Sequence, residues 1–187
     1  MTTEPTVRDV VDSAIALRLV SAEKAAVLSA WSDRPLSEYG GGAKEAEVAV
    51  GVLIDLQVGF EVHSDDVDDL VSGYEGAFEE LTACTDGLVT VADVEIVESA
   101  KGYDVLRFRL NGELVEWTVE HRGGDYLDQM PFFENMDAFT ASAVPKRWAL
   151  IDIDGEPLPG RYVFGEPAAL HAFGERFGIT FEVYAAG

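Results

Sequence analysis

The residues "YDVLRFRLNGELVEWTVEHRGGDYLD", Tyr103 to Asp128, constrain the fold more than any other stretch of the chain. Two runs of alternating polarity meet at Asn111-Gly112, a pair whose tolerance of positive φ favours the two-residue type I′ hairpin turn. That turn sets a register. Leu110 faces Glu113, Phe108 faces Val115, Leu106 faces Trp117, and on the opposite side Arg107 faces Glu116. Apolar pairs on one face and an ion pair on the other predict an antiparallel sheet packed on one side.

Helical spacing dominates what comes before. "TVRDVVDSAIALRLV" places Val7, Val10, Val11, Ala14, Ile15 and Leu17 to Val20 at helical spacing, with Thr6 as cap, and "SAEKAAVLSAW" opens a second helix on Ser21 that ends before Pro35. Ala43 to Val58 is apolar enough for a buried helix. Ser64 is positioned to cap "DDVDDLV", whose aspartates then suit the positive end of the helix dipole. Tyr74, Phe78 and Leu81 continue a helical stripe, with Glu75, Glu79 and Glu80 off it. Cys84, the single cysteine, falls on the same pattern and reads as a buried, inert thiol.

After "TDG" the period changes to two, and "LVTVADVEIVES" leads into the hairpin. Pro131 opens a helix bearing Phe132, Phe133, Met136 and Phe139. "KRWALIDIDGEPLPGRYVFG" holds two further strands. "EPAALHAFGERFG" is a helix from Pro167 to Gly178, and "ITFEVYA" a last strand. The whole reads as one α+β domain over residues 1–187. Its N-terminal half is expected to be helical, followed by an antiparallel sheet of about five or six strands with helices packed on one face. A subdivision into a helical hairpin, 1–40, and an α+β core, 41–187, is the alternative.

Charge narrows the function classes. Thirty-five Asp and Glu against 13 Lys and Arg give a formal net charge of -22, which disfavours nucleic acid and anionic membranes as partners. From Glu45 to Ala100 there are 15 acidic residues and no Lys or Arg. Such a segment carries a negative potential that steers a basic partner. Asp65, Asp66, Asp68, Asp69, Glu75, Glu79 and Glu80 are the candidate partner-binding residues. Solubility or adaptation to high salt is the competing explanation for the same acidity. The N-terminus lacks the basic-then-apolar pattern of a secretory signal, and no apolar run is long enough to span a membrane, so the expected location is the cytoplasm.

Chemistry-bearing motifs are sparse. Asp125 and Asp128, in the loop after the hairpin, and His121 at its end could form a hydrolytic site, yet Asp-x-x-Asp before an apolar run is also how a helix starts. "DIDG" resembles a fragment of a calcium loop without the acidic residues expected downstream, and Gly40 to Lys44 lacks the second half of a phosphate loop. Neither a cofactor nor a metal is expected, and the protein is read as a non-enzyme.

From the hairpin onward, "LRFRLNGELVEW", "GDYLDQMPFFENMDAF", "KRWALIDIDGE" and "YVFGEPAALHAFGERFGITF" resemble small acidic bacterial immunity proteins of toxin systems. The resemblance spans Tyr103 to Phe181, less than half of the chain. It implies a non-catalytic binder that neutralises a partner; joined to the acidic segment, which lies outside the resemblance, that gives the expectation of an immunity protein or inhibitor of a basic protein such as a toxin nuclease. A structural or assembly protein with a solubilising acidic surface, and a hydrolase using Asp125, Asp128 and His121, are the alternatives.

Overall fold

The computed structural model describes residues 4–28, 33–39, 43–63, 67–98, 103–121 and 126–184. Six helices and seven strands are present among them, and the architecture is mixed α+β. Helix α1 (Val7–Ala16) starts at Thr6, whose hydroxyl oxygen accepts the Asp9 N–H while the Asp9 carboxylate accepts the Thr6 N–H, a reciprocal capping box. Helix α2 (Ala22–Leu28) follows on Ser21, whose side chain accepts the Lys24 N–H at 3.0 Å. Helix α3 (Glu45–Asp55) then leads into strand β1 (Gly59–Glu61).

That strand corrects the expected all-helical first half. Gln57 turns the chain with φ 52°, and Gly59, Phe60 and Glu61 run extended and pair with Val163, Tyr162 and Arg161. Val58 and Phe60 continue the apolar run of α3, which hid the change of period.

Two antiparallel sheets replace the single sheet of five or six strands. The first has the order β1-β6-β5-β7, with β5 (Arg147–Ile153), β6 (Glu156–Gly165) and β7 (Thr180–Val183). The second has the order β2-β3-β4, with β2 (Val91–Val97), β3 (Asp104–Leu110) and β4 (Glu113–Val119). The β3–β4 register is the one the Asn-Gly turn dictates, with Phe108 opposite Val115, Leu106 opposite Trp117 and Arg107 opposite Glu116. Strand β2 joins through a bulge at Asp93, which has φ 53°.

Helices cover both faces of the four-stranded sheet, correcting the expectation of one face. Ala149, Ile151, Ile153 and Val163 point into a core made with α1, α3 and α6 (Pro167–Phe177). Trp148, Tyr162 and Phe164 point the other way, into an aromatic core with α4 (Leu70–Cys84), α5 (Met130–Asn135) and the three-stranded sheet. Phe78 sits at the centre of this second core, 4.6 Å from Phe108, 5.3 Å from Phe132 and 5.8 Å from Trp117 between ring centroids. The Trp148 indole N–H finds the Phe139 carbonyl at 3.0 Å, so even this buried donor is satisfied.

Candidate functional site

Helix α4 carries three of the seven expected partner-binding residues, Glu75, Glu79 and Glu80, and its start differs from expectation. The N-cap is Asp69, whose Oδ1 accepts the Ser72 N–H at 2.8 Å, so the aspartates precede the helix instead of lining its first turn. Ser64, Asp65 and Asp66 lie outside the described residues. Asp68 and Asp69 are exposed at the helix entrance, and Glu75, Glu79 and Glu80 are exposed along it. Tyr74, Phe78 and Leu81 turn inward, which leaves Ser72, Glu75 and Glu79 as an outer stripe at helical spacing.

Tertiary contacts neutralise part of the acidic run that has no cation of its own. Arg161 pairs with Glu61, Lys24 and Lys146 with Asp86, Arg109 with Asp93, and Arg107 with Glu95. Among the described residues no ion pair reaches Asp68, Glu75, Glu79 or Glu80. Glu75 and Glu79 stand four residues apart on one helix face, where like charges repel. They also border a cleft of about 210 Å³ whose other wall is Val91, Ala92, Asp93 and Val94 of β2.

The hairpin end builds a different arrangement. Asp104 Oδ2 lies 3.0 Å from His121 Nδ1, and His121 Nε2 lies 3.2 Å from the Tyr74 hydroxyl, which itself accepts the Asp128 N–H at 3.0 Å. With the Nδ1 proton donated to Asp104, Nε2 accepts the tyrosine O–H, and the same tyrosine oxygen accepts the Asp128 N–H. Asp128 spends both carboxylate oxygens on backbone, Oδ2 on the Glu120 N–H and Oδ1 on the Met130 N–H. It therefore straps β4 to the start of α5; the helix N-cap itself is Gln129.

Asp128 and His121 are thus brought together, through Tyr74, while Asp125 lies outside the described residues. Tyr74 is fully buried, and desolvation pushes its phenol up to about 12. A hydroxyl shut off from solvent cannot meet a substrate. Among the described residues no group of three or more His, Cys, Asp or Glu converges in a way that could hold a metal ion. In "DIDG", Asp152 is buried and accepts the Gly155 N–H, a turn-forming bond. Cys84 is buried, donates to the Gly59 carbonyl and is likewise pushed up to about 12 by desolvation.

Beside the strap lies an open groove of about 540 Å³ between β4 and α5. Tyr103, Tyr126 and Met130 line it with 53, 43 and 53% of their surface exposed. Glu120, Leu127, Asp128, Phe133 and Glu134 are among its other lining residues.

Tyr74, Asp104 and the groove tyrosines are the residues that motif reasoning missed. The hairpin register holds the signal for Asp104, because Val119 faces it and His121, two residues on, becomes its diagonal neighbour. Tyr74 reads only as a core aromatic until its hydroxyl is asked for a partner.

Compared with known proteins, the chain matches no family model, no curated protein and no solved structure. No helix among the described residues is long and apolar enough to cross a membrane.

Proposed function

We propose that this is a non-catalytic acidic binding protein that docks a basic protein partner on the outer face of α4, in the manner of an immunity protein or inhibitor that neutralises a toxin nuclease. One observation carries the reading. Glu75 and Glu79 repel each other across one helical turn, are exposed, and among the described residues have no cation paired with them, although the fold supplies cations to Glu61, Asp86, Asp93 and Glu95. A solubilising surface has no need to concentrate like charge on one helix face; a docking face for a cationic partner does. The non-catalytic part draws support from the hairpin end, where His121 and Asp128 have their polar atoms occupied by Asp104, Tyr74 and backbone groups.

The test reverses Glu79→Lys and Glu80→Lys while leaving the Asp69 cap intact. Residue 79 then becomes a partner for Glu75 at the favourable i,i+4 spacing, so the helix gains about 0.2–0.5 kcal/mol. Copurification from the native host should lose the basic partner although the variant melts no lower than the wild type. Attraction of this kind acts mainly through the association rate and fades as salt rises. Equal recovery of the same partner by both proteins leaves α4 as a solubilising surface. A toxin-domain gene immediately upstream is the genomic arrangement this function expects.

A further inference from the structure

We propose that the groove between β4 and α5 is a second docking site, which takes an arginine side chain from an extended basic segment of a protein partner. This rests on the reading of a basic partner given above and adds where and how one of its side chains is held. Six large apolar side chains are exposed among the described residues, and three of them, Tyr103, Tyr126 and Met130, line this one groove. Isolated exposed apolar groups are ordinary, but their concentration in one concave place marks a recognition surface.

Charge decides the occupant. The charged side chains on the described walls are Glu120, Asp128 and Glu134, all acidic. Asp128 is committed to the backbone of residues 120 and 130, so it contributes negative potential and shape, while the exposed Glu134 offers its carboxylate. A groove with tyrosine rings, a thioether and carboxylates suits a flat cation on an alkyl stem. Guanidinium fits this better than ammonium because it stacks on aromatic faces and still presents donors at its edge to a carboxylate. A neutral apolar peptide would leave the Glu134 carboxylate facing an uncharged neighbour, and an anionic one would be repelled.

Groove and α4 meet but can be separated by mutation. Leu127 and Asp128 form the groove floor and touch the first turns of α4 through Gly73 and Tyr74, so one partner could span both. Tyr126 and Met130 carry no charge, however, and their replacement leaves the α4 field unchanged.

The experiment titrates the 15N-labelled protein at about 0.15 M salt, where long-range attraction is screened beyond about 8 Å, with a blocked Gly-Arg-Gly-Arg-Gly peptide and with the same peptide carrying citrulline for arginine. Resonance shifts should cluster at Tyr103, Tyr126, Met130 and Glu134 with arginine and be absent with citrulline. Tyr126→Ser combined with Met130→Ser should weaken binding about tenfold without lowering the melting temperature, while Glu79→Lys with Glu80→Lys should change groove binding less than about threefold. Shifts confined to α4, equal binding of citrulline peptide, or unaltered binding by the serine variant each overturn the proposal. So does concentration-dependent self-association through the groove, which would make a second copy of this chain its occupant. A native partner lost on α4 reversal but retained by the serine variant leaves the α4 reading standing and overturns this one. Arginine peptide held in the groove, with native partner indifferent to α4 reversal, does the opposite.

Discussion

The Tyr74 hydroxyl lies 3.2 Å from His121 Nε2, joining the middle of a helix to the end of a hairpin through one buried polar contact. Tyr74→Phe keeps the ring and its packing but leaves His121 Nε2 and the Asp128 N–H without their partner. The expected cost is about 1–3 kcal/mol at neutral pH, the penalty for unsatisfied buried groups, measured by urea unfolding.

The same residue makes a prediction at alkaline pH. Its folded pKa is raised to about 12 by desolvation, above the ordinary value near 10. A group raised in this way contributes stability that is complete below about pH 10 and is lost as pH climbs through about 12. Unfolding free energy should therefore fall across that window in the wild type, and fall less steeply in Tyr74→Phe.

Trp117 is packed against Phe78, Phe108, Phe132 and Phe139 with ring centroids 4.8 to 5.8 Å away. Trp117→Ala should cost about 3–5 kcal/mol by opening a cavity among rings that cannot all move inward. A thermal melt of the variant checks this, and an unchanged midpoint would mean that the aromatic core does not depend on the hairpin.

Asp69 and Asp68 are adjacent acids with different work. Asp69→Ala removes the carboxylate that accepts the Ser72 N–H and should lower the melting temperature, while Asp68→Ala should leave it unchanged. The backbone bond from Ser72 also holds the Asp69 pKa below the usual carboxylate value. Its stabilising effect is then present above about pH 4 and lost as pH falls through the lowered pKa, so the two variants should converge in strong acid.

Gly174 lies within α6, where alanine ordinarily helps a helix. Here an added Cβ would stand 2.2 Å from the Ile179 carbonyl oxygen, because the chain folds back through Gly178 at φ 72° to start β7. Gly174→Ala should thus destabilise by about 1–3 kcal/mol, the range for overpacked sites, and loosen β7 first in hydrogen exchange.

Local patterns announced local structure well. The Asn-Gly pair fixes the hairpin register residue for residue, Thr6 caps α1, and Gly178 ends α6, since each depends on neighbours within a turn or two. What was illegible depends on distance. Val58, Phe60 and Val62 are strand-like only because β6 is there to pair with them, and two sheets could not be told from one without knowing that Trp148 and Ala149 serve different cores. The acidic face was legible as a list of residues. Which of them keep their charge uncompensated was not, because Arg161 and Lys24 arrive from remote segments.

Strands β5 and β6 act as a partition between two rooms, one furnished mostly with aliphatic side chains and the other centred on aromatic rings. Opening that ladder admits water to both rooms at once, whereas fraying α4 or the hairpin turn exposes a part of one. The slowest-exchanging amides should accordingly gather on β5 and β6, with protection close to that of global unfolding. The protein's endurance is thereby housed in strands that lie behind α4 and the tyrosine-lined groove, which leaves its outer acids free to change with a partner while the wall behind them stays the same.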